Sequence, residues 1–152
     1  MNRPVLKTLL LSLCCGYISV VAAQTTMHKP SVVGSWHLTH IDSNDAGTGS
    51  SVSTQPIAQL IYTNDGHASV QLMYPQTTLS NEFVHDGYEA TFGTYEVDEA
   101  KHKLTYHIQG SATREKLVGR NEALSYELPD DRHMIIRPVQ SDQHWSVTWE
   151  RN

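Results

Sequence analysis

Apolar and polar residues alternate in short runs along most of the chain, the period expected of strands with one buried face. Residues 35–41 place Trp36, Leu38 and His40 on one face, and residues 59–63 do the same with Leu60 and Tyr62. Asn64-Asp65-Gly66-His67 then reverses the chain, because Asn, Asp and Gly tolerate the backbone angles of a tight hairpin, into a run with Val70 and Leu72 facing inward. Residues 88–97 alternate again, with Tyr88 and Phe92 expected inside and Gly93 expected at a bulge. A polar turn at 98–102 leads into Leu104, Tyr106 and Ile108; residues 121–128 carry Leu124, Tyr126 and Leu128 on one parity. Pro129-Asp130-Asp131 turns that run into 132–137, with Met134 inside, and the last run, 144–151, aligns Trp145, Val147 and Trp149.

These runs predict eight strands and an all-β protein. Gly, Ser and Thr dominate 42–55, a loop; only 76–86 has room for a helical turn. Short links between successive strands favour an antiparallel up-and-down meander over a parallel βαβ sheet. Closing the meander into an eight-stranded barrel removes its exposed edges and leaves an interior that side chains fill or that holds one small ligand.

The first 23 residues have a different character. Arg3 and Lys7 precede an almost wholly apolar run at 9–21, and small residues precede Gln24, the pattern of a signal peptide cleaved after Ala23. The run is shorter than the roughly 20 residues of a spanning helix, so stable membrane insertion after cleavage is not expected. Domain organisation is then a signal peptide at 1–23, a polar leader at 24–33 and a barrel at 34–152, in an exported protein, periplasmic or secreted. Both cysteines, Cys14 and Cys15, fall in the signal peptide, so the mature chain is expected to rely on core burial without disulfides or thiolate metal sites.

Composition narrows the function. With 39% hydrophobic and 18% charged residues the chain should fold, and its net charge of −5 lacks the basic patch a nucleic-acid partner needs. Its nine histidines show no metal-ligand spacing, so no metal or cofactor is expected. Protonated together, they would carry the net charge through zero in mildly acid surroundings.

Gly34-Ser35-Trp36 resembles the G-x-W motif at the first strand of lipocalins. Residues 60–67 (LIYTNDGH), 92–98 (FGTYEVD) and 147–151 (VTWER) look like the small lipocalin-like domains of bacteria and fungi. The resemblance implies a barrel whose Trp36 packs at the closed end under a stacked Arg151, with Trp149 completing a structural floor. The Thr-Asp-Tyr motif of the large lipocalins is absent, and Leu124 stands where the small family is expected to carry arginine. Members of that family range from presumed carriers to enzymes of small-molecule biosynthesis.

The residues expected to line the interior are Leu38, His40, Leu60, Tyr62, Val70, Leu72, Tyr88, Phe92, Tyr106, Ile108, Tyr126 and Met134. Inward tyrosines need partners for their hydroxyls, which suggests either an internal hydrogen-bond network or a cavity for a small apolar or amphipathic molecule. Three functions fit. One is a carrier of such a molecule. A second is a cofactor-independent isomerase, cyclase or lyase with His40 as base and Tyr62 or Tyr106 as acid or oxyanion donor. The third is a module that binds a protein or polysaccharide through outward Gln59, Ile61, Gln71 and Met73. N-terminal sequencing of the exported protein is expected to begin at Gln24; a mature chain that keeps residues 1–23 would refute the cleavage.

Overall fold

The computed structural model describes residues 30–43, 55–76 and 78–152; the export segment and most of the 42–55 loop lie outside them. Eight antiparallel strands form one closed barrel in chain order: β1 Gly34–Ser43, β2 Ile57–Tyr62, β3 His67–Met73, β4 Tyr88–Asp98, β5 Lys103–Ser111, β6 Asn121–Glu127, β7 His133–Pro138 and β8 Trp145–Arg151. Each pairs with its sequence neighbours, and β1 pairs with β8 to close the ring. The hairpin at 64–67 forms as the residues dictate, with Gly66 N donating to Thr63 O at 3.2 Å and Thr63 N to His67 O at 2.9 Å. The helical turn expected within 76–86 is not found among the described residues there. A short 3-10 turn lies instead at Glu115–Leu117, where Leu117 is buried.

The floor is built around Trp36, which is wholly buried and donates from Nε1 to Val32 O at 2.8 Å. The Arg151 guanidinium lies over its ring, 4.0 Å from the centroid. Its three nitrogens donate to Asp131 O at 2.7 Å, Val33 O at 2.6 Å and Ser31 O at 2.7 Å, so the cation is held by carbonyls as well as by the indole face. Gly34 is required here, because a Cβ at that position would sit 2.2 Å from Arg151 Nη1.

Two irregularities decide which side chains enter the barrel. In β1, Leu38 pairs with Trp149 but His40 pairs with Thr148, leaving Thr39 as an extra residue whose hydroxyl donates to Thr148 O at 3.1 Å. The bulge inverts the parity beyond it. Trp36 and Leu38 pack on the core and Ile41 turns in, while His40 turns out to bond Asp42 at 2.9 Å. The expectation that His40 faces the interior is therefore corrected. The second irregularity falls at Gly93, where the residue pattern placed it: Phe92 pairs with Gly110 and Gly93 with Ile108, so the extra residue is Gln109 on β5.

The facing of β4 also differs from expectation. Glu89, Thr91, Gly93, Tyr95 and Val97 share the inner parity, which leaves Tyr88 (51% exposed) and Phe92 (57% exposed) outside. Phe92 covers the bare backbone of its partner Gly110; a Cβ there would meet the ring at 2.2 Å. Tyr88 pairs with Met73, which pairs in turn with Ile57, on the outer surface.

Gly93 tests the close approach of β4 to β5. A Cβ there would lie 1.9 Å from the His107 carbonyl oxygen, whereas nothing lies within 4 Å of one at Gly119, whose φ is +87°. Gly93→Ala is expected to destabilise the fold by about 3 kcal/mol, and Gly119→Ala by about 1 kcal/mol from its backbone conformation alone. Urea denaturation of the two variants gives both values.

Candidate functional site

The barrel holds a cavity of about 250 Å³ at the end away from Trp36. Sequence alternation puts aliphatic side chains on most of its wall: Leu60 from β2, Val70 and Leu72 from β3, Ile108 from β5, Ile136 from β7 and Val147 from β8. The described residues between β3 and β4, 74–76 and 78–87, include Asn81, Phe83 and Val84, which line this end. That connection is well tied. Tyr74 N donates to Gly87 O at 2.8 Å, and Asn81 Oδ1 accepts from the amides of Phe83 and Val84 at 2.9 and 2.8 Å. Arg114 donates from Nε and Nη2 to Val84 O at 3.0 and 2.7 Å.

One wall is polar. Glu89 on β4, Tyr106 on β5 and Glu122 on β6 come from three adjacent strands and all line the cavity. Tyr106 and Glu122 are direct cross-strand partners, which brings their side chains together on the inner face. Four polar atoms in and beside this cavity are buried without a protein hydrogen-bond partner: Thr91 Oγ1, Tyr106 Oη, Glu122 Oε1 and Trp149 Nε1. Such groups are costly unless something polar meets them. Arg120 Nε stands 3.0 Å from Glu122 Oε1, so this oxygen gains an ion pair. The same guanidinium reaches Glu82 Oε1 at 2.8 Å and lies 5.6 Å from the Phe83 ring centroid, linking the polar wall to the 74–87 connection.

Burial shapes the ionisation of this wall. Glu89 is pushed up to about 7, first by loss of water and then by the Glu122 charge. Glu122 is also raised by burial, with Arg120 opposing. Burial pushes Tyr106 up to about 12, against the pull of the neighbouring Thr91 hydroxyl. Tyr62 is raised strongly by burial beside Tyr106 and Tyr95, and Tyr74 is raised by burial and by Glu89.

Of the residues expected inside, Leu60, Tyr62, Val70, Leu72, Tyr106 and Ile108 line the cavity. Leu38 and Met134 pack in the core without lining it, and Tyr126 borders a separate hollow of about 310 Å³ beside Val32, Val97 and Leu128. Trp149, assigned to the floor, reaches the cavity as well. His40, Tyr88 and Phe92 stand outside, so His40 cannot serve as a base in this interior. His40, His67 and His133 each lie against a nearby aspartate on the surface, at 2.9, 3.2 and 2.8 Å. Gln59 and Gln71 are exposed on outward strand positions, with Ile61 and Met73 partly covered.

Sequence reasoning missed Glu89 and Glu122. A signal existed for Glu122, which shares the parity of Leu124 and Tyr126, so an acid was lodged on an apolar face. Glu89 shares the parity of Tyr95 and Val97, but the aromatic rings of Tyr88 and Phe92 drew the inner face to the other side.

A carboxyl that holds its proton more tightly when folded than when unfolded stabilises the fold relatively at low pH and costs stability as pH rises. For Glu89 the window runs from its ordinary value of 4.5 up to about 7. Glu89→Gln is therefore expected to be more stable than the parent by about 1 to 3 kcal/mol at pH 8. The gap should close towards pH 4.5, as read by thermal or urea unfolding at the two pH values.

A search of curated proteins returns no match to this chain. A family model described as "Domain of unknown function (DUF4488)" matches residues 31–152, which covers the whole barrel from the segment that seats Trp36 to the last residue. The chain belongs to that family.

Proposed function

We propose that this chain is an exported, lipocalin-like barrel that binds one small, mostly apolar molecule in its interior. The observation that carries the reading is the cavity itself, aliphatic on most sides and supplied with buried polar atoms that lack protein partners. At about 30 Å³ per water its volume equals roughly eight waters, which sets the scale of the ligand at a short aliphatic or single-ring molecule. Energetics assign the two parts of the wall different roles. Burying about 500 Å² of apolar surface yields on the order of 12 kcal/mol, while association costs on the order of 4 to 15 kcal/mol. The aliphatic wall therefore sets the balance near zero, and the polar wall decides strength and selectivity.

A second reading, a cofactor-independent isomerase, cyclase or lyase in the same cavity, is supported by one feature. Glu89 holds a proton near neutrality against a neighbouring phenol, which suits it to proton transfer where His40 is out of reach.

Trp145 and Trp149 line the cavity, so occupancy should be visible in intrinsic fluorescence. Titration with octan-1-ol is expected to change Trp emission saturably and to raise the unfolding temperature. Val70→Trp, which fills the cavity from β3, is expected to abolish the response; Leu72→Phe serves if that variant does not fold. A parent protein that shows no saturable change across short alcohols and single-ring compounds, or a response that survives in both filled variants, overturns the reading.

A further inference from the structure

We propose that the cavity selects apolar molecules that end in a protonated amine, held by the carboxylates of Glu89 and Glu122 beside the Tyr106 hydroxyl. The inference rests on the ligand-binding reading above and assigns the chemistry of the ligand's polar end. The acceptors are arranged on one wall, β4 to β6, while the strands across the ring, β8, β1 and β2, present Val147, Ile41 and Leu60, and the flanking β3 presents Val70 and Leu72. A molecule with one polar end and an apolar body fits that division.

Three ends can be compared. A carboxylate meets an excess of negative charge: Glu82, Glu89 and Glu122 stand against the single guanidinium of Arg120, which already engages Glu82 and Glu122. A hydroxyl offers one donor and no charge. An ammonium offers three donors and a positive charge, and three acceptors await it in Glu89, Glu122 Oε1 and Tyr106 Oη. Glu122 is only 9% exposed and Tyr106 6%, and both atoms lack protein hydrogen bonds. The Trp149 N–H is a donor and takes no part in holding the ammonium.

The arrangement also makes binding pH-dependent. The groups that face Glu89 are Glu122 from β6, Tyr106 from β5 and Tyr74 just after β3, with Arg120 and Glu82 behind Glu122. As pH falls through about 7, Glu89 takes up a proton and loses the charge that an ammonium needs. Amine binding should therefore weaken from pH 8 to pH 6 and release protons near neutrality, while alcohol binding stays level.

Calorimetric titration of the intact protein with hexylamine, hexan-1-ol and hexanoic acid compares the three ends on one body. At pH 8 hexylamine is expected to bind about tenfold more tightly than hexan-1-ol, with hexanoic acid weakest. Glu122→Gln should lower hexylamine affinity roughly tenfold and leave hexan-1-ol within about twofold; Glu89→Gln provides the same comparison if that variant does not fold. Alcohol or acid binding as tightly as the amine overturns the proposal and leaves the ligand-binding reading standing. An amine preference that persists in both variants, or that ignores pH between 6 and 8, also overturns it. Failure of all three probes to bind the parent refutes the ligand-binding reading itself.

Discussion

Closure of β1 on β8 is the constraint on which the rest of this protein depends. Eight short strands paired in chain order leave two edges, and joining them satisfies every remaining ladder while enclosing one interior. The join is anchored where Trp36 lies beneath Arg151, with the guanidinium bound to three carbonyls from the 30–33 segment and the β6 to β7 connection. That cluster fixes the register of β1 against β8. The same pairing contains the bulge at Thr39, so a single seam sets both the closed end and the identity of the side chains above it.

Above the floor the barrel tolerates an arrangement that a purely structural core would avoid. Two glutamates, a phenol and a threonine hydroxyl occupy inward positions on three adjacent strands, and burial displaces the ionisation of the glutamates and the phenol. Polar groups placed this way reduce stability, and they are held in place by well-packed surroundings. Leu104 and Met134 are wholly buried in that supporting core, and Arg120 partly offsets the charge from the rim. A site on rigid strands keeps its geometry with little help from loops, and the 74–87 connection adds a cover tied down by Arg114 and Arg120.

The polar wall is also where local pattern and final structure part company. Alternation in β5 and β8 is unambiguous, because Leu104, Tyr106 and Ile108, and Trp145, Val147 and Trp149, leave only polar or small residues on the other parity. In β4 both parities carry rings: Tyr88 and Phe92 on one, Tyr95 on the other. The strand is inverted relative to its aromatic content because the inner positions near the mouth are given to Glu89 and Thr91. Phe92 finds cover outside on Gly110, a contact visible only once β4 and β5 are paired. His40 fails for a different reason, since one extra residue in β1 turns it from the interior to Asp42.

By itself the sequence determined the number and order of the strands, the hairpin at 64–67 and the barrel class, and its resemblance to lipocalin-like domains pointed to the stacking of Arg151 on Trp36. The strands and turns are written in period-two alternation and turn chemistry, which act between near neighbours in the chain, whereas the Trp36 and Arg151 pair is marked by short motifs on β1 and β8 and meets only when the ring closes. Tertiary structure alone decided which parity of β4 faces inward, where β1 changes face, and that Glu89, Tyr106 and Glu122 share one wall. These outcomes depend on register between strands and on the crowding of a closed ring, and no residue carries that information until its partners are in place.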